Sequence, residues 1–241
     1  PLALLRDSIR QRRIIEVVQD GRWLLVIPLD YRGRLAGVLA ASHRDSSDRP
    51  GIDSNLLQNL AVHIGLALEN ALNFTYSITD GLTGLANKRY GLTRLDEALY
   101  LAKRQGSPLA LMMLDIDYFK KVNDNHGHQA GDRVLREVAR RIRTLNRKSD
   151  IAVRYGGEEF MLILPHTAAE TLDMLGERFR AAVAAKPVPL DDAGNTLAVT
   201  MSIGAARFDP QTDSAESLIE RADKALYASK AGGRNRVTLA L

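Results

Sequence analysis

The sequence predicts a mixed α/β protein whose larger part has the split βαβ, or ferredoxin-like, layout. Between residues 109 and 206, strand-like and helix-like segments follow one another in the order β-α-β-β-α-β, which defines that layout. Two neighbouring glycines, Gly156 and Gly157, separate the two central strands and are a two-residue hairpin signal. Upstream, residues 22–78 predict a small sheet followed by a long helix. We therefore expect an α+β domain preceded by a smaller sheet-and-helix part.

Length and composition restrict the possible class of protein. The 241 residues suit one large domain or two small ones, and a hydrophobic fraction of 45% is enough for a packed core. No apolar run approaches the ~20 residues of a membrane span, so we expect no membrane contact within this segment. The chain has no cysteine, which excludes disulfides, and we expect a cytoplasmic protein. Because it begins with proline, we expect further sequence upstream, and a membrane anchor there stays open.

The distribution of charge disfavours nucleic acid as a partner. The formal net charge is +4, the basic residues are spread along the predicted helices, and aromatic residues make up only 5% of the chain. A nucleic-acid-binding surface usually concentrates basic side chains in one stripe with aromatic side chains beside it. We therefore expect no nucleic-acid partner.

The long helix predicted from Ile52 to about Ile78 carries two apolar stripes. One repeats with the alternating three and four spacing of a coiled-coil seam, at Leu57, Leu60, Ile64, Ala67, Ala71, Phe74 and Ile78. The other runs beside it, at Ala61, Gly65, Leu68 and Leu72. The predicted small sheet before it has two strands around a turn at 31–34, and a loop at 43–51 leads to the helix. The simpler interpretation is an amphipathic helix that packs on this sheet alone. We favour one face on that sheet and one on a second chain, because a single sheet does not need both stripes.

The elements of the larger part follow from apolar patterns and turn residues. Residues 109–117 form a near-continuous apolar run that ends in two acids, which predicts a buried strand. Glycines at 81 and 84 predict a turn before the first helix. We expect further strands at 150–155, 158–164 and 196–206, a short final strand, and helices that end near Arg104 and cover about 129–146, 167–185 and 215–230.

Acidic residues stand where these strands meet. The two hairpin glycines are expected to form a type I′ turn, because glycine tolerates the positive φ angles that this turn needs. Glu158 and Glu159 follow the turn, and in a split βαβ sheet Asp115 ends beside it. Two carboxylates ~5 Å apart repel by roughly 3 kcal/mol at an effective dielectric of 20. A divalent cation would compensate, and oxygen ligands favour Mg²⁺ over zinc; a solvated turn with incidental acids is the alternative.

Residues suited to a nucleotide surround these acids. The strand 109–117 is followed by a predicted turn in which Lys120 and exposed backbone amides suit phosphate oxygens. Asn123 and Asp132 flank that turn, and an amide together with a carboxylate can read the edge of guanine. Near the C-terminus, Lys230 and Arg234 stand beside glycines and again suit phosphate.

Four motifs together resemble the GGDEF-domain family of diguanylate cyclases. They are DGLTGLANKRY (80–90), DIDYFKKVNDNHGHQAGD (115–132), RYGGEEF (154–160) and ADKALYASKAGGRNRV (222–237). The resemblance implies a palm-type fold related to nucleotidyl cyclases and polymerases. It also implies a reaction, dependent on Mg²⁺ or Mn²⁺, that condenses two GTP into cyclic di-GMP and two pyrophosphates in a pair of facing domains.

The resemblance also implies metal-binding and catalytic roles for the matching residues. Asp115, the backbone carbonyl of Ile116 and Glu158 bind the metal, and Glu159 supports the metal or the substrate. Glu158 is in addition the base that takes the proton of the 3′-hydroxyl, and Lys120 stabilises the developing phosphoryl charge. The third position of the signature motif is Glu158 rather than aspartate, which the family commonly accepts.

A second set of matching residues is implied to bind the substrate. Asn123 and Asp132 hold guanine, while Lys230 and Arg234 hold phosphates. Phe119 belongs to the same substrate-binding set. Because the position of Asp132 reads the base in this family, it favours GTP over the substrates of an enzyme that makes mixed cyclic dinucleotides.

Residues 22–78 resemble the C-terminal half of a GAF domain more weakly. The resemblance implies a partial GAF-like sensor at 1–51, a C-terminal GAF helix and coiled-coil linker at 52–79, and the GGDEF domain at 80–241. The first half of a GAF domain is missing, so we expect no complete small-molecule pocket in this part. The coiled-coil stripe predicts a homodimer through the linker helix.

A second nucleotide site is implied by Arg147-Lys-Ser-Asp150, which lies a few residues ahead of the glycine pair. At this place in the family, RxxD marks a site at which the product, cyclic di-GMP, inhibits. Arginine can stack on guanine and aspartate can accept from its amine edge. Arg178 resembles the family's secondary arginine of this site. Two alternatives remain: an inactive GGDEF domain that acts as a receptor for cyclic di-GMP, and a scaffold that binds no nucleotide.

Overall fold

The computed structural model describes residues 2–31, 34–43, 54–191 and 194–240 of the chain. These residues fall into two compact units, Pro1–Ser77 and Ile78–Leu241. Almost all of the loop predicted at 43–51 lies outside the described residues, as do the two central residues of the turn predicted at 31–34. No helix within the described ranges is long and apolar enough to cross a membrane.

The first unit is a three-stranded antiparallel sheet with two helices. Its elements are α1 (Leu2–Gln11), β1 (Ile15–Gln19), β2 (Arg22–Tyr31), β3 (Arg34–His43) and α2 (Ser54–Ile78). The strands lie in the order β1-β2-β3. The two predicted strands and the long helix are therefore confirmed, whereas α1 and β1 were not predicted.

Helix α2 covers one face of this sheet. Alternate residues of β2 form the core together with Ala61 of the helix: Trp23, Leu25, Ile27 and Leu29. A β-carbon added at Gly65 would lie 3.5 Å from the backbone of Leu29, which is ordinary van der Waals contact, so the helix runs close to β2 at this residue. Leu57, which we had assigned to the coiled-coil stripe, also packs on this core. The rest of the helix exposes a series of large apolar side chains: Leu60, Ile64, Leu68, Leu72 and Phe74.

The second unit is a six-stranded mixed sheet covered by helices. Its elements are β4 (Ala86–Asn87), α3 (Lys88–Gln105), β5 (Leu109–Ile116), α4 (Phe119–His126), α5 (His128–Leu145), β6 (Ile151–Arg154), β7 (Glu159–Pro165), α6 (Leu172–Ala184), β8 (Val188–Pro189), β9 (Thr196–Leu197), β10 (Met201–Arg207), α7 (Ala215–Ala231) and β11 (Val237–Ala240). The strand order is β11-β10-β5-β7-β6-β4. Its four central strands have the order of the predicted split βαβ sheet, which confirms the predicted layout.

Strand β5 is the centre of this sheet and alternates between two cores. All of its residues are buried, and it pairs antiparallel with β10 and β7. Met112 and Leu114 belong to the core under α5 and α6, while Leu111 and Met113 belong to the core under α3 and α7. Because side chains alternate along a strand, the next residue in the second series, Asp115, lies on the α3/α7 face.

Three predictions about this unit are wrong. Residues 119–126, expected to be a turn, form α4, because Phe119 and Val122 are spaced one helical turn apart and are both buried. The strand predicted at 196–206 is two strands: β9 pairs with β8 in a small hairpin, and only β10 joins the main sheet. The helix predicted at 167–185 begins as a short 3₁₀ turn, Ala169–Thr171, before α6.

Candidate active site

The GG loop, residues 155–158, connects β6 to β7 at one end of the sheet. The backbone N–H groups of Tyr155 and Gly156 both donate to the carbonyl of Glu159, at 2.9 and 3.1 Å. Neither glycine of the loop has a positive φ, so the prediction of a type I′ turn is wrong. A β-carbon added at Gly156 would lie 2.5 Å from a carboxylate oxygen of Glu159. Gly156 therefore makes room for the carboxylate of Glu159, and its backbone does not adopt the positive φ angle that favours glycine.

Arg154 clamps the GG loop to the first turn of the unit. Its Nη1 donates to both carboxylate oxygens of Asp80 at 3.1 Å, and its Nη2 donates to the carbonyl of Gly157 at 2.8 Å. Asp80 also accepts from the backbone and the hydroxyl of Thr83, at 2.8 and 2.7 Å. Burial raises the pKa of Asp80, but these hydrogen bonds from Thr83 and Arg154 outweigh it and bring the pKa below its usual value.

Asp115, Glu158 and Glu159, which we call the acidic corner, meet where β5 and β7 adjoin. Asp115 stands directly opposite Glu159 in the antiparallel register, and the N–H of Ile116 donates to the carbonyl of Glu158 at 3.3 Å. Burial raises the pKa of Asp115. Burial and the charge of Asp115 likewise raise the pKa of Glu158. The predicted proximity of the three acids is therefore present.

Lys230 of α7 compensates part of this negative charge. Its ammonium lies 2.7 Å from Asp115 Oδ2, and the carboxylate of Asp115 is almost fully buried. The lysine that we had expected to hold phosphate thus serves as the counter-ion of a predicted metal ligand. Among the described residues, no three His, Cys, Asp or Glu side chains are arranged to hold a metal ion.

The acidic corner nevertheless fits a hard divalent cation. It offers carboxylate oxygens, which Mg²⁺ and Mn²⁺ prefer, and one of them is already bound to a cationic group. It contains no sulfur or imidazole ligand that would favour zinc. Asp115 and Glu158 could hold such an ion once the ammonium of Lys230 moves away.

Helices α4 and α5 carry the residues predicted to bind guanine and phosphate. The side chain of Asn123 lies against Gly131 of α5, where an added β-carbon would be 2.0 Å from Asn123 Oδ1. Asp132 is the residue after Gly131, so the amide of Asn123 and the carboxylate of Asp132 lie on the neighbouring helices α4 and α5. Lys120 is exposed on α4, whereas the side chain of Phe119 is in the core. The side chain of Phe119 is therefore not available to a ligand.

Arg234 lies beside the junction between β5 and α4. Its guanidinium is 4.4 Å from the centre of the Tyr118 ring, and its Nη1 is 3.4 Å from the tyrosine hydroxyl. Lys121 stands over the same ring at 4.6 Å. Arg234 and Lys230 thus both belong to the C-terminal motif and approach the same end of β5.

Arg147, Asp150 and Arg178, which we call the product corner, lie away from the acidic corner. Asp150 accepts from the backbone N–H of Arg147 at 2.9 Å just before β6 begins, whereas the GG loop follows the end of the same strand. Arg178 donates to the carbonyl of Leu145 at 3.1 Å, which brings α6 to the C-terminal end of α5. The predicted secondary arginine is therefore close to the RxxD segment.

Three residues that shape the site were given no role by the motifs. Asp80 and Arg154 hold the GG loop, and Asp117 accepts hydrogen bonds from several elements near Arg234. One available signal was position: Arg154 ends one interior strand and Asp117 directly follows another. Charged groups at such places need partners inside the protein.

Comparison with known proteins agrees with the motifs. The family described as "Diguanylate cyclase, GGDEF domain" matches residues 77–236. Diguanylate cyclase A of Treponema denticola is 41% identical over 218 residues, which are 88% of this chain and 58% of that protein. The response regulator PleD of Caulobacter vibrioides is 38% identical over 221 residues, 89% of this chain and 49% of that protein. The chain therefore spans about half the length of these relatives.

Solved structures give the same result. The coiled coil and GGDEF domain of DgcB from Caulobacter crescentus, in complex with c-di-GMP, matches with a TM-score of 0.73 and 40% identity, over 78% of this chain and 98% of that one. The active GGEEF domain of a diguanylate cyclase from Vibrio cholerae matches with a TM-score of 0.60 and 31% identity, over 65% and 98%. The predicted palm-type fold is thereby confirmed. With the family match covering more than half of its residues, the chain belongs to the GGDEF family of diguanylate cyclases.

Proposed function

We propose that this chain condenses two GTP molecules into cyclic di-GMP and two pyrophosphates. The observation that carries the proposal is the acidic corner, in which Asp115 near the end of β5 lies beside Glu158 of the GG loop and Lys230 is the counter-ion. This arrangement suits a divalent cation and a polyphosphate. We propose Mg²⁺ as the cation, with Mn²⁺ as a substitute, and a bound ion would neutralise phosphate charge during the reaction.

Glu158 is the proposed base. Burial and the charge of Asp115 raise its pKa, so it is a better proton acceptor than an ordinary glutamate. It takes the proton from the 3′-hydroxyl of one GTP, whose oxygen then attacks the α-phosphorus of the other. One phosphorus–oxygen bond forms, and the bond to pyrophosphate breaks. The 3′-oxygen of the second GTP then attacks the α-phosphorus of the first in the same way, which closes the ring. Two protons and two pyrophosphates are released in total.

The cationic residues position the triphosphate. Lys120 is exposed on α4, and Arg234 lies beside the adjoining end of β5. Lys230 is already at the acidic corner and can exchange Asp115 for a phosphate oxygen. Phosphoryl transfer depends mainly on such alignment and charge neutralisation. Asn123 and Asp132 hold guanine, which selects GTP over ATP.

Two copies of the chain are needed, because the attacking oxygen and the phosphorus belong to different GTP molecules. The exposed apolar side chains of α2, among them Leu60 and Ile64, are the proposed dimer contact. Linking two domains raises their effective concentration toward millimolar. We propose the unit boundaries accordingly: a partial GAF-like sensor at 1–51, a linker helix at 52–79 and the cyclase domain at 80–241. The substrate GTP places the activity in the cytoplasm.

The product corner is the proposed inhibitory site for cyclic di-GMP. Arg147 is exposed and Asp150 is partly exposed, so both can contact guanine, and Arg178 of α6 reaches the nearby C-terminal end of α5. Arg147→Ala should therefore raise the cyclic di-GMP concentration that halves the initial rate by about tenfold or more. An unchanged inhibition curve for this variant would remove the product corner from the proposal.

The decisive experiment is incubation of the chain with GTP and Mg²⁺, followed by separation of the nucleotides. We expect cyclic di-GMP and pyrophosphate in a ratio of one to two, and no cyclic product from ATP alone. The alternative function, a receptor for cyclic di-GMP, predicts binding of cyclic di-GMP without any turnover of GTP. That result, obtained with a chain that is shown to be dimeric, would replace the proposed function.

A further inference from the structure

Asp117 is a buried charged residue with no role in the proposed mechanism. Only 6% of it is exposed, and it lies directly after β5. The hydroxyl of Thr200 donates to one of its carboxylate oxygens and the hydroxyl of Ser202 to the other, both at 2.6 Å. The backbone N–H of Asn235 donates to the same carboxylate at 3.0 Å. A buried carboxylate with three donors therefore joins the ends of two central strands to the C-terminal loop.

The third of these donors belongs to an unusual stretch of backbone. Arg234 and Asn235 have φ angles of 65° and 45°, in the left-handed region that side chains other than glycine seldom adopt. Two consecutive residues in this region persist only where their surroundings hold them. The hydrogen bond to a carboxylate is charge-assisted and stronger than one to a neutral acceptor. Asp117 thus holds the turn at the second of its two left-handed residues.

This turn determines where the guanidinium of Arg234 lies. From the turn, Arg234 reaches the ring of Tyr118, which follows Asp117 in sequence and also has a positive φ of 58°. One carboxylate therefore anchors the turn that carries the arginine, while the neighbouring residue provides the surface against which the guanidinium rests.

Other contacts hold the turn from different sides. The N–H of Arg234 donates to the carbonyl of Ser229 at 3.0 Å, which ties the turn to the end of α7. The side chain of Asn235 accepts from Arg180 of α6 at 2.8 Å. Of the hydrogen bonds that the backbone N–H groups of Arg234 and Asn235 donate, the one to Asp117 comes from the junction between β5 and α4, where the proposed metal and phosphate groups meet.

We propose that Asp117 is a positioning residue for the triphosphate of GTP. By fixing the left-handed turn at Arg234 and Asn235, it holds the guanidinium of Arg234 in place before the nucleotide arrives, which lowers the cost of binding. This inference rests on the proposed function, because it assigns Arg234 to the phosphates of GTP.

The test is a double-mutant cycle on Asp117 and Arg234. The readout is the dissociation constant of 3′-deoxy-GTP, which has the triphosphate but cannot react, measured by calorimetry with Mg²⁺. We expect Asp117→Ala to weaken binding about tenfold, and Asp117→Asn, which keeps one acceptor, about threefold. When Arg234 is already alanine, either change at Asp117 should weaken binding less than twofold.

Ser202→Ala is the matched control. It removes a hydrogen bond from the same carboxylate but leaves the bond to the turn, so it should lower thermal stability and change the dissociation constant less than twofold. If the effects of Asp117 and Arg234 on binding simply multiply, Asp117 acts on binding independently of Arg234 and the inference is wrong. If Asp117→Ala leaves the dissociation constant unchanged, Asp117 acts on stability alone and the inference is equally wrong. If Asp117→Ala does not fold, Asp117→Asn decides by the same criterion. If the wild type binds 3′-deoxy-GTP but does not turn over GTP, the proposed function is contradicted. The double-mutant cycle would still test whether Asp117 positions Arg234, because it measures binding only.

Discussion

The two sides of the candidate site satisfy their polar groups in opposite ways. In the acidic corner, Asp115 is paired with Lys230, and the GG loop that carries Glu158 is clamped by Arg154. On the α4–α5 side, the side chains of Lys120, Asn123 and Asp132 have no hydrogen-bond or ion-pair partner among the described residues.

This difference follows from burial. A carboxylate that is almost fully buried needs a counter-charge even without a ligand, whereas accessible amide and carboxylate groups are satisfied by water. Binding at the acidic corner therefore requires an exchange of partners, and binding between α4 and α5 requires only the loss of water. The two sides should respond differently to substitution, and each prediction below uses that difference.

The largest effect is expected from Glu158→Gln. The amide cannot accept the proton of the 3′-hydroxyl and is a weaker ligand for a cation, so cyclic di-GMP formation should fall about 1000-fold. The folded state should not lose stability, because the substitution removes a charge that is repelled by Asp115. Initial rates and thermal unfolding measure the two quantities. Glu97→Gln, which changes an exposed glutamate paired with Arg94, is the control and should keep its rate. Near-normal turnover of Glu158→Gln would show that the base is another residue.

The second largest effect is expected on the α4–α5 side, from Gly131→Ala. The new methyl group would lie 2.0 Å from Asn123 Oδ1, so the amide must leave its present position. Since the site then loses one or two hydrogen bonds to guanine, the KM for GTP should rise about tenfold with a smaller change in kcat. Gly81→Ala introduces the same methyl group where nothing lies within 4 Å, and serves as the control. An unchanged KM for Gly131→Ala would mean that Asn123 does not read the base.

Much of the acidic corner could be predicted, because the sequence indicates where the strands β5 and β7 end and begin. The continuous apolar run of β5 and the glycine pair before β7 fixed the neighbours in the sheet, and so brought Asp115 next to Glu158 and Glu159. Asn123 and Asp132, which were predicted to bind guanine from the chemistry of their side chains, lie on adjoining helices.

The remaining features depend on contacts between distant segments. Helix α4 was missed because only two of its eight residues are buried, which leaves too weak a period to recognise. The GG loop was mistaken for a type I′ turn because the glycine pair allows that turn, whereas the double hydrogen bond to Glu159 selects another. The pairing of Lys230 with Asp115 joins residues over 100 positions apart, which no local pattern records.

That pairing yields a third prediction, of intermediate size. In Lys230→Met the competing ammonium is gone, so Mn²⁺ should bind about fivefold more tightly in the absence of nucleotide, as measured by the electron paramagnetic resonance of free Mn²⁺. Lys224→Met removes a charge from the same helix, but from an exposed pair with Glu220, and is the matched control. Equal tightening in both variants would indicate a general effect of net charge. Weaker binding in Lys230→Met would mean that Lys230 does not occupy the place of the cation.

The smallest effect is expected from the clamp, in Asp80→Asn. Hydrogen bonds from Thr83 and Arg154 bring the pKa of Asp80 in the folded state below its unfolded value of 3.8. The ionised group therefore stabilises the fold above that pH, and the contribution is lost as the pH falls through the lower, folded-state value. At pH 7 the variant should be about 1–2 kcal/mol less stable in urea unfolding, since Arg154 is left partly unpaired.

The difference between Asp80→Asn and wild type should shrink as the pH is lowered below about 4, because protonation removes the same charge from the wild type. Glu97→Gln, in a pair that is exposed, should change stability by less than about 0.5 kcal/mol at either pH. A constant difference at all pH values would mean that Asp80 acts through packing and not through its charge. Asp80 would then hold the GG loop through packing against it. In that case, only the pair of Asp115 and Lys230 would distinguish the internally paired acidic corner from the α4–α5 side, whose polar groups are accessible to water.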